Sequence, residues 1–175
     1  KITPVIHSLH YQWNGYMPSA VKSGENGALI DNFSNGLNSL TNCIIGKNKA
    51  EALMAASHLY SFIPDFYSLY RTPISPEIKR IRYYTRNAIL NAMNANCEQA
   101  DSDINNLKGS WSIYKNTIDK ELQEDVSRLD FSLIELERVI KARSQPLSDI
   151  KGRVAMANIQ SLEKSSEKQS QQSSG

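Results

Sequence analysis

Residues 75–96 read SPEIKRIRYYTRNAILNAMNAN, and the reading of this stretch decides the fold. Ser75 is a good helix N-cap. Pro76 suits the first helical position, where its missing N–H would have no partner anyway, and Glu77 sets a carboxylate against the positive end of the helix dipole. From there Ile78, Ile81, Thr85, Ala88, Ile89 and Ala92 recur at the three- and four-residue intervals that put side chains on one side of a helix. Asn94-Ala95-Asn96 ends the run, because asparagine competes for its own backbone and tolerates the left-handed conformation. A helix with a single apolar stripe must bury it against something.

The flanking sequence supplies the partners. Upstream, Leu29, Phe33, Leu37, Leu40 and Ile44 define a helix between Asn26 and Ile45, and Gly46 is placed to turn the chain in the left-handed conformation. A second helix is expected from Lys49 through Leu53, Ala56, Leu59, Tyr60, Ile63, Phe66, Tyr67 and Tyr70, kinked near Ser61 because Pro64 removes a backbone donor. Downstream, Ala100, Ile104, Leu107, Trp111, Tyr114 and Ile118 match the seam of an antiparallel helix pair. Leu122, Val126, Leu129, Leu133, Leu136 and Ile140 continue out of phase with that seam, which predicts a break between Thr117 and Glu121 with Asp119 capping the next helix. Pro146 stops this segment, and Leu147, Ile150, Val154, Ala157 and Leu162 predict a final helix.

The expected fold is therefore all-α, an antiparallel up-down bundle of four to six helices over residues 26–164. Residues 1–25 form an aromatic and histidine-rich segment docked by Ile6, Leu9 and Trp13, and residues 165–175, all Ser, Glu, Lys, Gln and Gly, form a disordered tail with nothing apolar to bury. Helix–corner–helix units start near Asn26, Ser75 and Glu121, about 45–50 residues apart, as in helical repeats. No residue motif beyond apolar spacing joins them, so the bundle takes precedence and a helical-repeat, peptide-binding protein is the alternative.

Composition narrows the function. A net charge of +2 over 175 residues is too small for general nucleic-acid binding, and no stretch approaches the roughly 20 apolar residues of a membrane span. The start at Lys1 without Met, followed by Thr3 and Pro4, fits either an arbitrary cut or a removed secretory leader; an exported or cell-surface protein, with tethering through the removed N-terminus as an option, is the expectation, and the cytoplasm is the alternative. Nucleophile elbow, phosphate loop, dinucleotide fingerprint, His-Glu-x-x-His, Cys-x-x-Cys and haem-attachment motifs are all missing, so neither an enzyme nor a cofactor is indicated. Asp101 and Asp103 are accounted for by a helix start.

Four constellations are candidate sites. Cys43 and Cys97 fall at one end of the expected bundle, where a bridge would stabilise by roughly 4 kcal/mol in the chain-entropy view and free thiols are the alternative. His7 and His10 share a helix face and could reach one metal, with His58 as a third ligand, although no carboxylate precedes Glu25 to orient them. Tyr60, Phe62, Phe66, Tyr67, Tyr70 and Tyr84 could line a small-ligand pocket at the kink, or simply pack as core. Lys79, Arg82, Tyr83 and Arg86, beside Arg80, form a basic face that could hold an anion unless Glu135 and Glu137 neutralise it. The expected role is a non-enzymatic binding module for an unknown protein or small ligand.

Overall fold

The computed structural model describes residues 2–24 and 27–173, all of whose regular structure is helical. Helices α1 (Thr3–Lys22), α2 (Gly27–Ile45), α3 (Lys49–Tyr60) and α4 (Ile63–Ser68) precede α5 (Pro76–Met93), α6 (Cys97–Tyr114), α7 (Gln123–Lys141) and α8 (Gln145–Ser173). Asn26, taken above as the start of the first bundle helix, lies outside the described residues. The chain divides into two compact units, Lys1–Arg71 and Thr72–Gly175, so a boundary falls inside the span expected to be one bundle.

In the first unit α1 buries Ile6, Trp13 and Ala20, one residue every seven, against Phe33, Leu37 and Leu40 of α2 and Leu59 and Phe66 beyond them. Helix α1 continues through Pro4 and Pro18: Pro4 sits in the first turn, where no donor is lost, and Pro18 lies inside the helix ahead of its last turn, where one backbone bond is given up. The hydroxyl of Ser34 accepts the Trp13 indole N–H at 2.9 Å. Close packing extends to Gly36, where an added Cβ would meet Leu59 Cδ1 at 3.2 Å. The chain breaks at Ser61–Phe62, as Pro64 predicted: it lies buried in the first turn of α4 and has no N–H to continue α3. The expected stripe of α3 is rotated, however. Leu53 and Ala56 face solvent, while Ser57 and Leu59 are buried.

In the second unit α5 packs on α6 and α8, and α7 packs on α8. The start of α5 is as read from sequence: Ser75 Oγ accepts the Glu77 N–H at 3.2 Å, with Pro76 first in the helix. The break between α6 and α7 is also where phase predicted it, spanned by two short 3-10 turns, Lys115–Thr117 and Lys120–Leu122. Ile78, Ile81, Ile104, Leu107, Leu129, Leu136, Ile140, Ile159 and Leu162 fill the interior. Helices α5 and α8 come close at Gly152, where a Cβ would lie 2.5 Å from Ile89 Cδ1 and 2.6 Å from its Cγ1.

Three hairpins, α2–α3, α5–α6 and α7–α8, turn in the same way. At each corner a non-glycine residue is left-handed: Lys47 (φ 55°), Ala95 (φ 58°) and Arg143 (φ 58°), a step of 48 residues from 47 to 95 to 143. Each corner closes with the same two bonds, the residue's own N–H to the carbonyl three back and the next N–H to the carbonyl five back, such as Lys47 to Ile44 and Asn48 to Cys43. Gly46, expected to take the left-handed position, precedes it. The same step relates the core. Phe33, Ile81 and Leu129 are buried, as are Leu37, Thr85 and Leu133, then Leu40, Ala88 and Leu136, and on the return helix Leu59, Leu107 and Ala155. The unit read as mere apolar spacing is thus a repeated hairpin in which these four sets of buried positions coincide at one step, while α3 departs from it: Ala56 is exposed where Ile104 and Gly152 are buried, and Ser57 is buried where Asn105 and Arg153 are exposed.

The C-terminal tail corrects the sequence reading. Instead of being disordered from residue 165, the chain stays in α8 to Ser173. The physical reason is polar. Ser161 and Ser165 donate to the two oxygens of Asp125 at 3.0 and 2.7 Å, Gln169 donates to Glu121 at 3.3 Å, and Ser166 and Ser170 bond carbonyls one turn back. A helix without apolar residues still gains from docking when its neighbour offers carboxylates in register. Ser174 and Gly175 lie outside the described residues.

Candidate functional site

His7 is exposed, His10 Nε2 lies 2.8 Å from Thr41 Oγ1 on α2, and the exposed His58 stacks edge-on against Phe62 at 5.2 Å. Among the described residues no three His, Cys, Asp or Glu side chains are grouped so as to hold a metal ion. Phe66 is ringed by Trp13, Tyr16 and Phe33 at 5.5 to 5.7 Å and packs as core, with Phe62 against Phe33 at 6.3 Å, while Tyr70 is exposed. Tyr84 belongs to the other unit, where it packs against Tyr83 at 5.2 Å. Cys43 and Cys97 are free thiols, one in each unit.

Two residues of the basic face of α5, Lys79 and Arg82, are paired by a residue that periodicity did not single out. Glu163 on α8, 8% exposed, takes Lys79 at 3.0 Å and Arg82 in a two-point contact. Arg80 pairs with Glu77 at 3.5 Å. The expected neutralisers work elsewhere: Glu135 meets Lys151 at 3.2 Å, and Glu137 meets Lys108 at 2.9 Å. Asp103, placed at a helix start by the sequence reading, is in fact only 2% exposed, and its oxygens accept amides from Asn87 (2.8 Å), Asn91 (2.9 Å) and Gln99 (3.2 Å). This network fixes α5 on α6. Burial, with the Asp103 charge behind it, raises the Tyr83 hydroxyl above its ordinary value.

The hairpin step relates the two seams that join α5–α6 to α7–α8. Arg82 corresponds to Asp130 and Glu163 to Lys115, and the structure pairs both sets with inverted polarity: Arg82 with Glu163, Asp130 with Lys115 at 2.9 Å. Burial alone would raise the Asp130 carboxyl, but hydrogen bonds from Lys115 and from the Trp111 indole at 2.7 Å outweigh it and hold it below the ordinary range.

What the fold leaves unused is the outer face of the third hairpin. Phe131 on α7 and Leu147, Ile150 and Val154 on α8, with Ile134 beside Phe131, are 45% to 70% exposed. Leu147, Ile150 and Val154 were expected to be the buried stripe of the last helix; the buried stripe is Ser148, Gly152, Ala155, Ile159 and Leu162. Phe131 and Val154 line one cleft with Arg128, Glu135, Lys151 and Asn158 at its edges. One hairpin earlier the equivalent positions are Tyr83, Arg86, Gln99, Ser102 and Asn106, every one of them polar or hydroxyl-bearing. The fold therefore does not require apolar residues here.

Among the described residues the fold defines an all-helical protein that contains three like helical hairpins. No family model matches the chain, and no curated protein or solved structure is significantly similar to it. No helix among the described residues is long and apolar enough to cross a membrane.

Proposed function

We propose that this protein is a non-enzymatic interaction module, built on an antiparallel bundle of paired hairpins, that docks a second copy of itself through the outer face of α7–α8. The observation that carries this reading is the exchange of Tyr83, Arg86, Gln99, Ser102 and Asn106 for Phe131, Ile134, Leu147, Ile150 and Val154 at equivalent positions. A second copy is the occupant that best suits the charges around the face. Arg128 with Glu124, Arg153 with Asp149, and Lys151 with Glu135 give it both signs in neighbouring pairs, as a self-complementary surface needs. The chain's own second and third hairpins already meet through pairs of opposite polarity at equivalent positions, which is the same kind of contact within one molecule.

Sedimentation equilibrium tests the reading. The wild type should approach twice its 19.7 kDa as concentration rises. Phe131→Asp should stay monomeric, and Ile113→Asp, which alters an equally exposed apolar residue on α6, should behave as wild type. A wild type that stays monomeric at all concentrations, or loss of association in both variants alike, would refute docking of a second copy at this face.

A further inference from the structure

The hairpin corners enclose a cavity that the interaction face does not involve. Where the α5–α6 corner meets the α7–α8 corner, about 130 Å³ is bounded by Ala92, Ala100 and Ile140, with Cys97 and Arg143 also on its lining. Ser148 lines it too, 1% exposed, and its hydroxyl is the buried side-chain polar atom that has no hydrogen-bond partner in the protein among the described residues. A buried hydroxyl left unpaired costs on the order of 1–3 kcal/mol. The fold has no need of it. The equivalent position is Ala100 in the second hairpin and Ala52 in the first, so alanine serves the same corner twice in this chain.

The lining also limits what can enter. Arg143 is committed to Asp101 through two contacts at 2.8 and 2.6 Å, which hold the Asp101 carboxyl below its ordinary range, so no uncommitted charge is available to a charged guest. A wholly apolar guest would leave the Ser148 hydroxyl unpaired. We infer that this cavity binds a small uncharged organic molecule, a short-chain alcohol or ketone no larger than about benzene, whose single polar head bonds Ser148 and whose body lies against the alanines and Ile140.

Cys97 on the lining is a built-in reporter. In a Cys43→Ser background, the rate at which Cys97 reacts with 4,4′-dithiodipyridine is measured with and without 2-butanol, 2-butanone and cyclopentane. The alcohol and ketone should slow labelling several-fold at saturation. Ser148→Ala, which restores the residue of the equivalent corners and keeps the fold, should lose most of that protection, and cyclopentane should protect Ser148→Ala better than it protects the wild type. Equal protection of both proteins by the alcohol would show that the hydroxyl does not select the guest. No protection by any of the three would show that the corner takes only water, and either result overturns the inference.

Discussion

At the scale of single residues, the corners carry strain that a substitution can relieve. Lys47 is left-handed at φ 55°, which costs an L-residue roughly 1–2 kcal/mol. Lys47 is exposed, so Lys47→Gly should raise the urea midpoint by an amount equivalent to about 1 kcal/mol, less what glycine adds to the freedom of the unfolded chain. Trp111 works in the other direction. It is 4% exposed and bonds Asp130, so Trp111→Ala should cost roughly 3–5 kcal/mol in chemical denaturation; near-wild-type stability would mean the seam is not packed as described. Asp130 and Asp101, and Glu137 held low chiefly by its bond from Lys141, are stabilised in their charged form. A carboxyl with a lowered folded-state value stabilises above the ordinary range near pH 4 and loses that contribution as pH falls through the folded value. Thermal stability should therefore drop on acidification below about pH 4, and Asp130→Asn should flatten that part of the curve. The Ser75 cap was legible because its signal is local, whereas the pairing of Asp103 with Asn87 and Asn91, and of Glu163 with Lys79 and Arg82, was not, because those partners lie on another helix.

At the scale of elements, Gly152 sets how closely α8 approaches α5. Its replacement by alanine would place a Cβ within 2.6 Å of Ile89 Cγ1, too near the branch point for a simple rotation to relieve. Gly152→Ala should destabilise by about 1–3 kcal/mol, and Ile89→Ala in the same chain should recover part of the loss. A double-mutant cycle in urea checks this. The end of α8 makes the complementary case. Amide exchange over residues 165–173 should show protection that Asp125→Ala reduces, since Ser161 and Ser165 both depend on that carboxylate. Periodicity found α2, α5, α6 and α7 close to where they start and stop, but it gave residues 1–25 only a docked segment where the structure has the helix α1, and it misplaced the buried side of α3 and α8. Both contain apolar residues on two faces, and one sequence does not say which face a neighbour will cover. It missed the last turns of α8 because their anchors are hydroxyls and amides, which leave no apolar stripe.

At the scale of the whole chain, a repeated hairpin explains both what is regular and what is not. Three corners share a backbone geometry, and their buried positions coincide at one step. Besides the reversed ion pairs and the rotated α3, two departures stand apart, the apolar outer face of the third hairpin and the lone hydroxyl at Ser148. Neither departure stands out in a composition or in a helical wheel. They appear only when equivalent positions of the hairpins are compared, and that comparison needed the corners of the structure to set the register. The most direct test is hydrogen exchange at low and high protein concentration. Added protection confined to residues 128–138 and 147–158 as concentration rises is the predicted result; protection that is unchanged there, or that grows on another surface instead, would contradict the account.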